Sequence, residues 1–370
     1  MSESELLAFL RLQITPGVGP VNARKLIGYF GRASAIFEHA EKALLEIPGI
    51  GRGRVSHLLS ETYKRQAAEQ WEKIQQQGIR CLAFGQPGYP ELLRQCEDAP
   101  LLLFLKGAFS FGKKRFISIV GTRNMTSRGR SFCEQFLQDL APYNPVVISG
   151  LAYGIDICSH KVALKHGLET VACLGHGLDQ VYPQAHARYL SKIQDQGGLL
   201  TEFWLGTPPE PVNFVKRNRI IAGLSEATVV VESATRGGSL ITADLAFGYH
   251  RDVFSVPGRP TDVFSQGCNL LIRDQKAHLL QTAAEFVNTM NWNADHTKKN
   301  SINPIPVRQE DLGGDEKPIV AYLTGKDAQL LDDIALGCQL PIKSAVAALF
   351  QLEMKGLVTP LPGKRYLLKA

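Results

Sequence analysis

Five short apolar runs in the middle of the chain constrain its fold more than any other feature. They read ISIV at 117–120, VVIS at 146–149, TVACL at 170–174, ATVVVE at 227–232 and VFSV at 253–256. Strands that are apolar on both faces are typical of a parallel sheet buried between two helical layers. The segments between the runs have helical periodicity, as in 127–140, where Phe132, Phe136 and Leu140 fall on one stripe. This alternation predicts a doubly wound α/β fold with a mostly parallel sheet.

The flanking segments differ from this pattern and divide the chain of 370 residues into five predicted parts. In chain order these are a helical domain at 1–65, a connecting segment at 66–115, the sheet domain at 116–289, a polar linker at 290–315 and a winged-helix domain at 316–370. The linker is assigned from its Pro, Asn and Gly content and its lack of periodicity. The winged helix is assigned from short helices followed by a hairpin signal, with Pro362-Gly363 at the turn.

Cysteine usage and hydropathy indicate the compartment. The seven cysteines are odd in number and scattered, and no two of them form a C-x-x-C pair. This argues against a disulfide framework and against a cysteine zinc site, and it suits a reducing cytosol. No apolar stretch is long enough to span a bilayer, and the first residues lack the features of a signal peptide. We therefore expect a cytoplasmic protein without a membrane segment.

Two glycine turns in the N-terminal part resemble each other. They are Pro16-Gly17-Val18-Gly19 and Pro48-Gly49-Ile50-Gly51, and each precedes a predicted helix. A glycine turn that opens a helix directs backbone N–H groups towards an anion. Two copies are similar to tandem helix-hairpin-helix elements, which bind DNA without sequence preference. The same turns also occur as packing or partner contacts in helical bundles, so both interpretations stay open.

Glycine-containing loops follow the predicted strands. They contain Gly121-Thr122-Arg123, Gly150-Leu151-Ala152-Tyr153-Gly154, Gly175-His176-Gly177 and Gly237-Gly238-Ser239. In an open parallel sheet these loops lie at the carboxyl edge of the strands, where ligands bind. Glycine lets a ligand approach the backbone closely, and the helix that follows directs N–H groups at an anion. Four such loops in series predict a surface for several phosphates.

The segment NFVKRNR at 213–219 favours a polymeric ligand over a small nucleotide. It holds three cations and one aromatic side chain, and it has no acidic residue. Lysine and arginine neutralise phosphates and an aromatic ring can stack on a base, which together are typical of single-strand binding. Arg123 follows the first strand of the sheet domain directly and is expected at the same edge. The net charge of +6 is compatible with a polyanionic partner but does not identify one.

A series of motifs in unbroken order resembles the DprA/Smf family across residues 116–280. The motifs are GTR (121–123), SGLAYGID (149–156), ACLGHGLDQVYP (172–183), LLTEF (199–203), NFVKRNRIIAGLS (213–225), VVVESATRGGSLITA (229–243), VFSVPG (253–258) and QGCNLLI (266–272). The resemblance implies an extended Rossmann-like fold that binds single-stranded DNA, usually as a homodimer. It further implies protection of incoming DNA and loading of the RecA recombinase in natural transformation and recombination. We expect no catalytic activity, no cofactor and no metal.

Carried over residue by residue, the resemblance also implies a DNA site. Its residues are Gly121, Arg123, Ser149, Gly150, Lys216, Asn218, Arg219, Gly237, Gly238, Ser239 and Asn269. Arg123 and Lys216 are the expected principal phosphate ligands. Base preference should be slight, because phosphate and stacking contacts carry little sequence information.

The main alternative is a nucleoside-monophosphate phosphoribohydrolase on the same type of sheet. Gly237-Gly238-Ser239 with Thr242 is similar to the PGGxGT loop of those enzymes, and Glu232 and Arg236 could supply a carboxylate and an arginine. The loop, however, lacks the second glycine step and the acid that follows it. Fold analogy alone does not assign a function.

Two other kinds of site fit less well. A dinucleotide-dependent oxidoreductase needs a G-x-G-x-x-G turn after the first strand, and this chain has GTRNMT there. His160, His176 and His186 lack the helical spacing of a metal-binding pair and have no acidic partner at a recognisable interval.

The predicted recognition helix of the winged helix, at 342–356, is poor in basic residues. It offers Lys343 and Lys355 with Glu353 between them, and most of the other residues are apolar or small. A helix that reads DNA carries several basic residues. We therefore predict a protein-contact or regulatory module, although the wing residues Gly363-Lys364-Arg365 leave nonspecific DNA contact open.

Overall fold

The computed structural model describes residues 1–112, 114–292, 312–324, 329–355, 357–361 and 365–368. The chain divides into two compact units, Met1–Asp295 and His296–Ala370, and each is described by itself. Most of the predicted linker and the Pro362-Gly363 turn lie outside the described residues.

A nine-stranded sheet forms the centre of the first unit. Its strands are β1 (Arg80–Ala83), β2 (Leu102–Lys106), β3 (Phe116–Val120), β4 (Val146–Ser149), β5 (Thr170–Cys173), β6 (Gly197–Thr201), β7 (Ala227–Val230), β8 (Asp252–Ser255) and β9 (His278–Leu279). They lie in the order β1-β2-β6-β5-β4-β3-β7-β8-β9. The pairs from β6 to β9 are parallel, whereas β1 with β2 and β2 with β6 are antiparallel. The five predicted runs correspond to β3, β4, β5, β7 and β8, so the expected fold class is confirmed.

The helices of the first unit surround this sheet. They are α1 (Glu3–Ile14), α2 (Pro20–Phe30), α3 (Glu41–Leu45), α4 (Arg52–Leu59), α5 (Glu61–Gln76), α6 (Glu91–Arg94), α7 (Ser127–Leu140), α8 (Ile155–Lys165), α9 (Ala187–Gln196), α10 (Pro211–Leu224), α11 (Gly238–Gly248), α12 (Val263–Arg273) and α13 (Ala283–Thr289), with 3₁₀ turns at Ser34–Phe37, Ala141–Tyr143 and Gln184–His186. One core packs α7, α8 and α13 on the sheet, and another packs α10, α11 and α12 on it. Both faces of the sheet are therefore covered, which explains why its strands read as continuous apolar runs.

Strand β3 contributes side chains to both of these cores. Ile117 and Ile119 belong to the core with α7 and α8, whereas Phe116 and Val120 belong to the core with α10 and α11. All five residues of the strand are buried. The polar one, Ser118, shares a hydrogen bond with Thr228 of the neighbouring strand β7 at 2.7 Å between the hydroxyl oxygens.

The strand order reverses at β3. After β3 the chain adds β4, β5 and β6 on one side, then crosses over to place β7, β8 and β9 on the other side. Loops leaving the carboxyl ends of β3 and β7 therefore diverge and leave a crevice between them. Ligands of open α/β sheets bind at such a switch point.

The N-terminal helices share a core with one end of the sheet. Leu10 of α1, Leu26 of α2 and Val55 of α4 are fully buried in a cluster that also contains Leu199 of β6 and Leu174, which follows β5. The two glycine turns directly precede α2 and α4, as the sequence predicts.

Basic side chains lie against the second of these glycine turns. Lys25 of α2 donates a hydrogen bond to the carbonyl of Pro48, and Arg54 of α4 donates one to the carbonyl of Gly49. Both side chains thus donate to backbone carbonyls of the protein itself. Whether the turns bind DNA or serve packing stays an open prediction.

The predicted connecting segment, 66–115, contains two strands that the sequence analysis does not predict. β1 and β2 pair with each other and extend the sheet beyond β6. The run LLLFLKG at 101–107, which lies between a proline-rich turn and a glycine, forms β2. Four of the five residues of β2 are buried, so this segment is part of the sheet rather than a mere connection.

The second unit contains helices and a small sheet. Its elements are α14 (Glu316–Leu323), β10 (Gln329–Leu330), α15 (Leu331–Gly337), α16 (Ile342–Met354), β11 (Val358–Leu361) and β12 (Arg365–Leu368). The strands lie in the order β10-β12-β11, and Ile319, Leu349 and Val358 belong to a core that this unit forms from its own residues. Three helices and a hairpin in this order confirm the predicted winged helix.

No single helix among the described residues is long and apolar enough to cross a membrane. Among the helices that the structure describes, only the pair α15 and α16 reaches that length and hydropathy, and the two are bent by 107° at the break between them.

Candidate nucleic-acid interface

A cleft of about 450 Å³ opens at the carboxyl edge of the sheet, at the switch point between β3 and β7. Its walls come from the loops that follow β3, β4 and β7, from α10 and from the start of α11. The predicted site residues that line this strand-edge cleft are Gly121, Arg123, Asn218, Gly237, Gly238 and Ser239. Of the four glycine loops predicted to form one phosphate-binding surface, those after β3, β4 and β7 contribute to this cleft, whereas Gly175, His176 and Gly177 do not line it.

Arg123 lies in the loop between β3 and α7, on the rim of the cleft. Its side chain is exposed, and no described residue forms an ion pair or a side-chain hydrogen bond with it. Before it in the loop, the backbone N–H of Thr122 donates to the carbonyl of Glu232 at 2.7 Å. This arrangement presents a free guanidinium at an anchored position, which suits a phosphate ligand.

Glu232, two residues after the end of β7, holds the far end of the same loop. Its carboxylate accepts hydrogen bonds from the backbone N–H of Thr126, at 3.0 Å, and from the Thr126 hydroxyl. The Thr126 hydroxyl in turn accepts a hydrogen bond from the N–H of Gly129 and so caps α7. The Glu232 side chain is buried and does not line the cleft. Its role in the structure is to position the loop that carries Arg123.

The N-terminus of α11 faces the cleft on the opposite wall. Gly237 caps this helix and Gly238 is its first residue, with no other atom within 4 Å of the position that a Cβ at Gly238 would take. The hydroxyl of Ser239 donates to the Ser233 hydroxyl at 2.9 Å, which ties the helix to the loop after β7. The open N–H groups and the helix dipole make this wall suitable for an anion.

A largely buried arginine lies at the floor of the cleft and helps to line it. Arg217 of α10 is only 5% exposed, and its guanidinium donates to the carbonyl of Gly150 at 2.7 Å and to the carbonyl of Cys173. Asp156 at the start of α8 is also buried here. A Cβ at Gly150 would lie 2.7 Å from both the guanidinium and the Asp156 carboxylate, so only glycine fits between them. Arg217 thereby connects α10 to the loops after β4 and β5.

The charges of this buried pair depend on each other. Burial lowers the pKa of Arg217, and the negative charge of Asp156 opposes that shift. Burial raises the pKa of Asp156, and the positive charge of Arg217 opposes it in turn. The positive charge of Arg123 also lowers the pKa of Arg217. The two charges therefore compensate each other at the floor of the cleft, where both residues belong to its lining.

The KRNR cluster does not form one basic surface, because consecutive residues of α10 point in different directions. Asn218 and the largely buried Arg217 line the cleft. Arg219 forms an ion pair with Glu202 and donates to the carbonyl of Asp98, away from the cleft. Lys216 is exposed but is not among the residues that line the cleft.

Two aromatic rings stack on the cleft wall. Phe214 and Tyr182 have ring centroids 5.4 Å apart with an interplanar angle of 30°, and both line the cleft. Tyr182 is 42% exposed, so its ring is available to a ligand. A base can extend such a stack.

Three further predicted residues support the edge of the sheet without lining the cleft. Ser149 is fully buried, and its hydroxyl donates to the Ile119 carbonyl at 2.7 Å. Gly150 accepts the Arg217 bond described above. Asn269 uses both ends of its amide on the backbone of Gly258, at 3.0 and 3.1 Å, and so holds the loop after β8.

Arg217, Asp156 and Tyr182 are missed by the sequence analysis as site residues. For Arg217 a signal exists, because Asn213, Arg217, Ile220 and Leu224 are buried at helical spacing along α10. A basic residue on that apolar stripe indicates a buried partner. For Tyr182 the sequence shows only that it belongs to a motif after β5, because its stacking on Phe214 depends on the fold.

The histidines considered as metal ligands have structural partners. His160 shares a hydrogen bond with Thr170 at 2.7 Å, and burial lowers its pKa to about 3, so the ring is neutral near pH 7. His186 contacts the Leu151 carbonyl at 2.8 Å. In the parts of the chain that the structure describes, no three His, Cys, Asp or Glu side chains are grouped as a metal site.

Comparisons with known proteins agree with this architecture. The family model of DNA recombination-mediator protein A matches residues 80–291, and that of the DprA winged helix domain matches residues 304–364. A protein named Smf from Synechocystis sp. is 31% identical, with 99% of each chain covered.

Two solved structures are also similar. The DNA processing protein A of Streptococcus pneumoniae superposes with a TM-score of 0.66 at 30% identity, covering 78% of this chain and 98% of the other. That of Helicobacter pylori superposes with a TM-score of 0.52 at 25% identity, covering 58% and 97%. The family model covers more than half of the chain, and the Synechocystis relative covers nearly all of it. The chain therefore belongs to the DNA recombination-mediator protein A family, the DprA/Smf proteins.

Proposed function

We propose that the strand-edge cleft binds single-stranded DNA without sequence preference. One observation carries the proposal: the unpaired Arg123, the open N-terminus of α11 and the Tyr182–Phe214 stack all line the same cleft. The first two suit phosphates and the third suits a base. The solved structure from Helicobacter pylori concerns single-stranded DNA binding by that family member, which supports the proposal.

The arrangement of these groups favours a strand over a duplex. A stacking platform needs a base that is free of its complement, because paired bases expose only their edges. The charged groups and the helix N-terminus would contact phosphates, which are the same for every base. Binding should therefore depend steeply on salt and only slightly on sequence.

In the cell, we infer, this binding protects incoming single strands and precedes loading of the RecA recombinase in natural transformation and recombination. Membership of the family supports this role, together with a homodimeric state, a cytoplasmic location and the absence of catalysis. We likewise propose that the chain is divided into a helical domain, a connecting segment, the sheet domain, a linker and the winged helix.

The winged helix is proposed as a protein-contact module. On α16, Ile342, Val346, Phe350 and Met354 recur every four residues and are each 43–72% exposed. An apolar stripe of this kind suits a protein partner better than a phosphate backbone.

The test measures binding of fluorescent oligo-dT and of the matching duplex across a salt series, for wild type and for Arg123→Ala. Loss of one charged contact should weaken binding by roughly ten- to a hundredfold, because such a contact is worth about 1.5–3 kcal/mol. The salt slope should fall by about 0.7. Lys216→Ala, measured in parallel, tests the other expected phosphate ligand, which lies on α10 just outside the cleft.

The matched control is Arg65→Ala, which removes an exposed arginine from α5, far along the chain from the cleft loops. It should bind oligo-dT as wild type does. The proposal fails if wild type prefers duplex DNA, or if Arg123→Ala and Arg65→Ala bind equally well.

Nothing in the geometry favours the hydrolase alternative, because the Glu232 carboxylate is hydrogen-bonded to Thr126 and lies outside the cleft.

A further inference from the structure

A line of basic residues continues from the strand-edge cleft across α7, α8 and α9. Arg123 lines both that cleft and a second depression between α7 and α8, which also contains Arg130, Tyr153 and Lys161. Lys161 in turn lines a third depression, between α8 and α9. Because neighbouring depressions share a cationic residue, the surface is continuous.

The third depression adds further lysines and an aromatic ring. Lys165 and Lys192 line it with Lys161, and Tyr189 lies among them. Lys161 and Lys165 are four residues apart on α8, so they project from the same side of the helix. The Tyr189 ring has the Lys161 ammonium 5.8 Å and the Arg188 guanidinium 4.9 Å from its centroid.

The positive charge of this surface is not neutralised within the protein. We name the surface formed by Arg130, Tyr153, Lys161, Lys165, Arg188, Tyr189 and Lys192 the basic track. All five of its cations are exposed, and none forms an ion pair with a described residue. Glu134 and Asp195 are the acidic residues among those lining the two depressions. Cations therefore outnumber acids along the track.

We propose that the basic track binds the continuation of the same single strand after it leaves the strand-edge cleft. The inference rests on the proposed function of the cleft and extends its binding site. The cations would contact successive phosphates, while Tyr153, which is 48% exposed, and Tyr189 offer rings to unpaired bases. Arg123 connects the two parts of the binding site, because it lines both the cleft and the depression between α7 and α8.

The test compares a short and a long strand. Oligo-dT of about six and of about twenty nucleotides is titrated at several salt concentrations. The variant is Lys161→Gln/Lys165→Gln/Lys192→Gln. We expect it to bind the short strand as wild type does and the long strand roughly tenfold more weakly, with the salt slope for the long strand reduced by about two.

The matched control is Lys42→Gln/Lys64→Gln/Lys73→Gln, which removes the same charge from exposed positions on α3 and α5. It should bind both strands as wild type does. The track is refuted if its variant binds the long strand as tightly as the control does.

A different result is expected if the strand-edge cleft does not bind single-stranded DNA. In that case wild type binds neither strand, or Arg123→Ala leaves binding of the short strand unchanged. A long strand carrying a photoreactive base at successive positions provides a direct measurement. Adducts on Tyr153 or Tyr189 from positions beyond the first six or so nucleotides support the track, and adducts confined to Tyr182 and Phe214 contradict it.

Discussion

At the scale of single residues, Arg217 shows how a cation can shape a binding site through its own hydrogen bonds. Its hydrogen bonds reach the carbonyls of Gly150 and Cys173, and so hold α10 against two of the loops at the carboxyl edge. Its charge also balances the buried carboxylate of Asp156. Arg217 is therefore a positioning residue, whereas Arg123 is the proposed ligand.

Replacing Arg217 should destabilise the fold. In Arg217→Met the Asp156 carboxylate is left buried without its cation and two carbonyls lose their donor, so the free energy of unfolding should fall by about 3–5 kcal/mol. Urea denaturation measures the change. Lys216→Met, at the adjacent exposed position, is the control and should change stability by less than about 0.5 kcal/mol.

The same variant should show a distinctive dependence on pH. Burial raises the pKa of Asp156, and loss of Arg217 should raise it further. A carboxyl whose pKa is raised in the folded state contributes stability below its unfolded pKa of about 3.9 and loses it as the pH rises through the folded pKa. The deficit of Arg217→Met relative to wild type should therefore shrink as the pH is lowered from 7 towards 4. A deficit that stays constant over this range would show that Asp156 is not the group affected.

At the scale of elements, the N-terminus of α11 serves stability and binding in opposite ways. A negative side chain at Gly238, the first residue of the helix, interacts favourably with the dipole but occupies the place of a phosphate. The position has room for a side chain, since no atom lies within 4 Å of a Cβ there.

Gly238→Asp should consequently stabilise the protein and weaken DNA binding. We expect the free energy of unfolding to rise by about 0.3–1 kcal/mol, measured by urea denaturation. Affinity for oligo-dT should fall roughly tenfold, because a like charge lies against the phosphate. Gly238→Ala should keep near-normal affinity. Equal binding by the Asp and Ala variants would exclude this helix end from the site.

At the scale of the whole molecule, the cleft and the winged helix belong to different compact units. Every residue lining the cleft lies in Met1–Asp295, and the core of the second unit contains none of them. Each unit thus has its own hydrophobic core.

Deletion of residues 296–370 should leave binding of oligo-dT nearly unchanged. We expect the dissociation constant to stay within about twofold of the full chain, a difference of about 0.4 kcal/mol. The same fluorescence titration measures it, with Phe350→Ser in the full chain as a variant that alters only the exposed stripe of α16. A large loss on deletion that Phe350→Ser does not reproduce would mean that the winged helix itself binds DNA.

The sequence predicts a strand where nearly all consecutive residues of that strand are buried and most of them are apolar. β3 and β7 are covered on both faces, so their apolar runs stand out against the polar loops. β6 begins with two glycines and β1 has exposed or half-buried residues, so neither shows a run that predicts a strand by itself. β2 is apolar, but its place between turn signals hid its pairing with β6.

The sequence by itself determined the doubly wound sheet and the positions of its glycine loops, because both follow from periodicity over a few neighbouring residues. Only the tertiary structure decided which cations can meet a ligand. Within KRNR, Arg217 is buried against Gly150 and Arg219 is paired with Glu202, and these partners lie far away in the chain. The continuity from Arg123 to Lys161 likewise depends on how α7 and α8 pack. Composition shows how many charges a chain carries, but burial and partners, which the fold alone sets, decide which of them remain available.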